Sequence, residues 1–337
     1  MIDQPDRPKT LQEIKAYLLE RATNQRNPMD GARLEDVHRV LGALTSMDSD
    51  LWASLWSDEG RRSEDAAHEA EAKGDKQKAH DAYMLAYQYY RLARFPCPNT
   101  PAKQDAAHSS VANYIAASQY FDPPIEHLSI PFHGRDGEGT EIRAYLKKPP
   151  MVERPPVVIQ HGGIDSFKEE RHRYAGPLLD NGIASLAIDM PGTGASPVKG
   201  ALDGERVYAA VLSSLDQRPD LDGSRIGLMG GSFGGYWAAK AAHVFHDRLA
   251  GAVDWGGGVH YGFQPDWIHR SRYAGSYLTD LIETRAHAFG LSTFDEWIEF
   301  APKLSLLDQG VLDGPHCPML LVNGKDDAQT PIEDLYI

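Results

Sequence analysis

The sequence predicts an α/β fold: a mostly parallel sheet with flanking helices, preceded by an all-helical N-terminal domain. Three observations predict it. Residues 1 to about 122 carry apolar side chains at helical spacing. Asp122-Pro123-Pro124 then interrupts that period. Beyond it, short apolar runs alternate with helical stretches, as a parallel sheet built from βαβ units requires. The boundary is placed at the Pro-Pro pair, giving domains 1–122 and 123–337. A length of 337 residues fits about two domains.

The helical part begins at Thr10-Leu11-Gln12-Glu13, a capping-box pattern ahead of Leu11, Ile14, Leu18 and Leu19. Leu34 to Leu44 repeats the period. A longer helix is predicted from Asp50 to Ala72, broken at Gly74-Asp75. Its partner runs from Lys76 to Ala93 and stops at Phe95-Pro96-Cys97-Pro98. The pair resembles one helical-repeat hairpin, but no second copy follows at that period. A further helix is predicted over Lys103–Tyr120. After the boundary, Ile125–Phe132 and Glu141–Leu146 alternate like an antiparallel strand pair. Buried strands are then expected at 157–160, 184–188, 226–229, 251–255 and 319–322. Helices are expected from Lys168, Asp203 and Gly235.

Composition narrows the partners. Hydrophobic residues make up 42% and charged residues 24% of the chain, as in a globular protein with a real core. A net charge of -14 argues against nucleic acid or an anionic membrane surface as partner. It leaves a neutral small molecule open. Met1-Ile2-Asp3-Gln4-Pro5-Asp6-Arg7 lacks the apolar core of a signal peptide. No stretch approaches the ~18 consecutive apolar residues of a membrane span. Cys97 and Cys317 offer no disulfide framework and no metal cluster, and a cytoplasmic location is expected.

The chemistry centres on Arg225 to Lys240: a short apolar strand, a glycine turn holding Ser232, then an alanine-rich helix. Gly230-Gly231-Ser232-Phe233-Gly234 has the G-x-S-x-G form of a nucleophile elbow. A serine on a sharp strand-to-helix turn projects its hydroxyl clear of the backbone. Small residues on either side let neighbouring backbone approach closely. The following helix aims its N-terminal N–H groups at developing negative charge. The competing reading is a glycine-rich βα turn with an incidental serine. The strand before it and the helix after it favour the nucleophile.

Three further stretches join it in order. His161-Gly162-Gly163-Ile164-Asp165-Ser166 follows the strand at 157. Asp189-Met190-Pro191-Gly192-Thr193-Gly194-Ala195-Ser196 follows the strand at 184. Asn323-Gly324-Lys325-Asp326-Asp327-Ala328-Gln329-Thr330-Pro331 follows the strand at 319. Together with the elbow they make the chain resemble the α/β-hydrolase superfamily. The resemblance implies an oxyanion hole formed by the N–H of Phe233 and that of Ile164, or of Gly163. It implies Asp327, rather than Asp326, as the acid that orients a base histidine, with Asp254 as the less favoured substitute. The Asp189 loop reads as shape rather than chemistry. His161 reads as structural, and Ser166 with Glu169 as a helix capping box.

A narrower resemblance is to the branch with a large helical N-terminal cap domain, which includes 2,6-dihydroxypseudooxynicotine hydrolase and the FrsA-like esterases. It rests on the G-G-x-D-S-x-K-E-E form of Gly162 to Glu170, the GGSFGG elbow, and the helical hairpin ending at Phe95-Pro96. It implies that the helical domain covers the active site, and homodimers occur in that branch. One member of the constellation departs from the pattern. The superfamily order is Ser, Asp, then His. No histidine follows Asp327, and the fourteen present all lie earlier. The expectation is that Ile337 is a truncation and that the base lies beyond it, with His260 as the fallback.

Between two strands, Trp255, Tyr261, Phe263, Trp267, Tyr273, Tyr277, Phe289, Phe294, Trp297 and Phe300 crowd together. They read as the core of a small lid, and some of them also as walls of an apolar pocket. The reading reached is a serine hydrolase acting on an ester, or on a C–C bond of an aromatic or ketone compound. It needs no metal or organic cofactor, and its substrate is an apolar or aromatic small molecule. The alternative is a catalytically impaired protein that keeps the fold for binding or scaffolding.

Overall fold

The structure is a computed structural model and describes residues 7–337; the acidic, proline-containing start read above for its lack of an apolar run lies mostly outside them. It divides into two compact units, Arg7–Pro124 and Ile125–Ile337.

The first unit holds five helices: α1 (Leu11–Thr23), α2 (Leu34–Ala43), α3 (Ser49–Ala72), α4 (Lys76–Arg94) and α5 (Pro101–Ser118). Thr10 caps α1 as its sequence suggests: Glu13 N donates to Thr10 Oγ1 and Thr10 N to Glu13 Oε2. Gly74, at φ +73°, ends α3 in the left-handed conformation that glycine adopts without steric cost. Asp75 then caps α4 through Lys78 N. The α3–α4 pair packs closely because Gly60 carries no side chain; a Cβ there would stand 2.9 Å from the Tyr90 ring. Trp52 and Trp56 fill the rest, and the Trp52 indole N–H donates to Leu92 O at 2.7 Å.

The second unit is a seven-stranded sheet in the order β1-β2-β4-β3-β5-β6-β7. Its strands are β1 (Ile125–Pro131), β2 (Glu141–Lys147), β3 (Val157–His161), β4 (Ala184–Ile188), β5 (Ile226–Gly231), β6 (Gly251–Trp255) and β7 (Met319–Val322). The first two pair antiparallel, β2 joins β4 antiparallel, and all remaining pairs are parallel. Every residue of β4 is buried, as an interior strand covered on both faces requires. Helices α6 (His172–Asp180), α7 (Arg206–Leu215) and α8 (Phe233–Val244) flank the sheet. At its far edge β7 is largely exposed, with Leu320 at 58%. Val253 and Leu320 are register partners, as are Trp255 and Val322, so these four share one sheet face.

The segment between β6 and β7 folds into short helices α9 (Pro265–Ser271), α10 (Leu281–Ala288) and α11 (Phe294–Phe300). Its aromatics form a core. Trp297 is fully buried and Phe263 and Phe289 nearly so. All three rings pack on Phe233, at centroid distances of 5.5–6.4 Å. Trp255 and Tyr261 alone among the aromatics named above stay exposed.

Candidate active site

Ser232 sits where β5 ends and α8 begins, at φ 56° and ψ -131°. A non-glycine residue in that region carries backbone strain of about 1–3 kcal/mol. The surroundings hold it there. Ser232 N donates to Trp255 O at 2.8 Å, and Gly235 N donates to Ser232 O at 2.7 Å. The glycines around it are sites of backbone contact: a Cβ on Gly230 would strike the Gly234 carbonyl, and one on Gly234 would strike the Gly162 carbonyl. The side chain of Ser232 is left exposed at the carboxyl end of the sheet.

The glycine loop after β3 is pressed against this elbow. A Cβ on Gly163 would lie 2.8 Å from Ser232 Cβ and 3.2 Å from Phe233 N. Ile164 and Phe233 are both buried. Among the described residues, neither the Ile164 nor the Phe233 N–H donates to a protein acceptor. Backbone donors of buried residues are almost always paired, so two unspent ones beside a strained serine stand out.

His161 is buried beneath the elbow. Its Nε2 lies 3.1 Å from the Tyr208 hydroxyl, and burial lowers its pKa to about 4. It packs as a neutral structural ring. Ser166 and Glu169 do not form the expected capping box. The turn at Lys168–Arg171 is a 3-10 helix, capped instead by Glu170, whose Oε1 accepts from Phe167 N at 3.0 Å. Ser166 Oγ accepts from Arg171 Nη2 at 2.9 Å, and Glu169 turns inward to Tyr145.

Asp327 lies in the loop after β7, half-buried, and its Oδ1 accepts from Gln329 N at 2.7 Å and Thr330 N at 3.3 Å. Both bonds use one carboxylate oxygen, Oδ1. Asp326 beside it is exposed. Two side chains from the β6–β7 segment brace this loop. The Trp267 indole N–H and Arg285 Nη2 both donate to Gln329 O, at 3.1 and 3.2 Å. Asp254 is otherwise engaged. It is buried under the start of α8, accepts from Gly257 N at 2.7 Å, and burial raises its pKa to about 7. An acid only partly ionised near neutrality is poorly suited to stabilise an imidazolium.

His260 faces elsewhere. Its Nδ1 lies 2.7 Å from Ser305 Oγ, and its backbone N–H, with those of Tyr261 and Gly262, donates to the Asp334 carboxylate. Among the described residues, no histidine is hydrogen-bonded to Ser232 or to Asp327.

A sheet of this order, with a strained serine on the β5–α8 turn and a glycine loop against it, defines an α/β-hydrolase. A family model described as esterase FrsA-like matches residues 38–336, and the chain belongs to that family. It is similar to the α/β hydrolase gkaG of Penicillium citrinum, 31% identical over 66% of this chain and 55% of that protein. It is also similar to the 20-hydroxy-prefusarin hydrolase FUS2 of Gibberella moniliformis, 33% identical over 64% of this chain and 54% of that protein. The chain thus spans about half the length of the curated relatives it matches. Two solved structures share the fold, each at TM-score 0.74. The 2,6-dihydroxy-pseudo-oxynicotine hydrolase is 23% identical, covering 96% of this chain and 83% of its own. AbyA5 is 24% identical, covering 97% and 84%.

Proposed function

We propose that the protein is a serine hydrolase that cleaves an ester, or the C–C bond of an aromatic or ketone compound, through Ser232. The observation that carries this reading is the pair of unspent N–H groups, Ile164 and Phe233, beside Ser232 and Gly163. Ser232 Oγ attacks the substrate carbonyl carbon and gives its proton to a base. The carbonyl oxygen becomes an oxyanion between the two N–H groups, each worth about 3–4 kcal/mol of barrier. The leaving group departs as an alcohol, thiol or carbon acid once it takes that proton. Water then hydrolyses the acyl-serine and releases a carboxylic acid.

Asp327 orients the base and stabilises its protonated ring. The base in this reading is a histidine supplied from outside residues 1–337. What supports it is that, among the described residues, no histidine is hydrogen-bonded to Ser232 or to Asp327. Residues 1–337 and the product of the full reading frame, assayed side by side, test it. A rate about 10⁶ lower for residues 1–337 is expected, from the cost of losing a catalytic histidine. Equal kcat/KM would place the base within residues 1–337 and make His260 the first candidate to replace. No turnover by either protein would favour the binding-protein alternative.

The substrate is apolar or aromatic and weakly charged in this reading, in keeping with the exposed Trp255 and Tyr261 and a net charge of -14. Paired neutral and carboxylate-bearing p-nitrophenyl esters test it. Faster turnover of the neutral members is expected; equal or faster turnover of the acidic ones would contradict it.

A further inference from the structure

Behind the glycine loop lies a group of charges that the reaction does not use. Lys168, Glu169 and Asp189 are all at most 3% exposed. Asp189 directly follows β4. Its Oδ1 accepts from the backbone N of Lys168 at 2.7 Å; its Oδ2 takes Lys168 Nζ at 3.0 Å and the backbone N of Ala195 at 2.9 Å. Lys168 Nζ also lies 3.0 Å from Glu169 Oε1, which accepts from the Tyr145 hydroxyl of β2 at 2.9 Å. Burial works against the ammonium, and the Asp189 and Glu169 charges outweigh it, so the lysine pKa is raised.

The glycine loop runs directly into this group at Lys168. Within it, Ser166 N donates to Gly163 O at 3.3 Å, the Tyr277 hydroxyl donates to Asp165 Oδ2 at 3.0 Å, and Arg171 Nη2 donates to Ser166 Oγ at 2.9 Å. The position of Gly163 against Ser232 is set by these ties together with the loop's two ends. One end is β3. The other is Lys168, tied by backbone and side chain to one carboxylate of the neighbouring β4 loop. A buried ion group is a poor source of stability compared with well-packed apolar residues, but it fixes geometry, because breaking it strands an unpaired charge.

We propose that Lys168 is a positioning residue for the oxyanion hole: paired with Asp189 and Glu169, it holds the Gly162–Ile164 backbone where the Ile164 N–H meets the developing oxyanion. This rests on the serine-hydrolase reading. The test replaces Lys168→Met together with Glu169→Gln, which removes one charge of each sign. Lys240→Met is the control, since it breaks another ion pair of a buried lysine, with the half-buried Glu205 at 3.0 Å, outside the glycine loop. Two readouts are taken from the full reading-frame product. Amide hydrogen exchange across residues 161–168 should quicken about tenfold or more in the double variant, with residues 226–231 unchanged. With a neutral p-nitrophenyl ester, kcat should fall about 10²-fold while KM moves little. The control should change neither readout. Unaltered exchange at 161–168, or an equal kcat loss in the control, would overturn the proposal. Quickened exchange in a protein whose wild type turns over no ester would uphold the clamp and sink the hydrolase reading. Should the double variant fail to fold, Lys168→Arg keeps the charge, changes the shape that Asp189 and Glu169 grip, and is expected to move both readouts in the same direction by less.

Discussion

Gly163 and Ser232 are in such close approach that a methyl group on Gly163 would stand 2.8 Å from the serine Cβ and 3.0 Å from its Oγ. The hydroxyl can rotate away; the Cβ and the Phe233 N–H behind it cannot. Gly163→Ala should therefore push the loop off the elbow. The expected result is a loss of about 10²–10³ in kcat, as for removal of one oxyanion donor, with a stability cost of about 1–3 kcal/mol. Ester kinetics beside a thermal melt check it. An unchanged kcat would show that the loop does not form the hole.

Ser232 itself is held at positive φ, where only glycine is at ease. Ser232→Gly should end turnover while raising stability by about 1 kcal/mol, the relieved strain being partly offset by the freer unfolded chain. Denaturant melts of Ser232→Gly and Ser232→Ala distinguish this from a simple loss of contacts. A glycine variant less stable than the alanine variant would contradict it.

Asp254 gives a pH signature. Its pKa is raised, to about 7, chiefly by burial, while the unfolded chain has an ordinary carboxyl. The folded protein then holds a proton that the unfolded chain releases. That contribution is fully present below pH ~4, fades at up to about 1.4 kcal/mol per pH unit, and is gone above about pH 7. Asp254→Asn keeps the acceptor for Gly257 N and removes the titration. Its stability should decline less than the wild type's between pH 4 and 7. Parallel curves for the two proteins would show that the carboxyl does not titrate there.

The two neighbouring aspartates should separate cleanly. Asp327→Asn should lower kcat about 10⁴-fold in the full reading-frame product, through loss of histidine orientation. Asp326→Asn, at an exposed position with no such bonds, should leave kcat within about twofold. The reverse pattern would reassign the acid.

The sheet and its elbow were legible because each rests on local pattern. The runs at 184–188, 251–255 and 319–322 became strands with those bounds, and the glycines around Ser232 fell where backbone meets backbone. What was not legible depends on long-range burial. Lys168 reads as a helix start, and Ser166 with Glu169 as its capping box. In the fold Lys168 and Glu169 turn inward because Asp189, twenty-one residues away, and Tyr145 of another strand receive them. The bracing of Gln329 O is likewise invisible: Trp267 reads only as one of the lid aromatics, and Arg285 stands in no motif. The aromatics of the β6–β7 segment were visible as a cluster. Which of them would be core was decided by the ring of Phe233, a residue read from sequence only for its N–H.

The most direct test of a Ser232-centred hydrolase is fluorophosphonate labelling of the protein expressed from its full reading frame, read by intact mass and peptide mapping. Such a probe reacts only with a serine that is both activated and served by an oxyanion hole. The account predicts one adduct per chain, on the peptide carrying Ser232, and none in Ser232→Ala. A folded protein that stays unlabelled, or whose adduct maps to another residue, would contradict it.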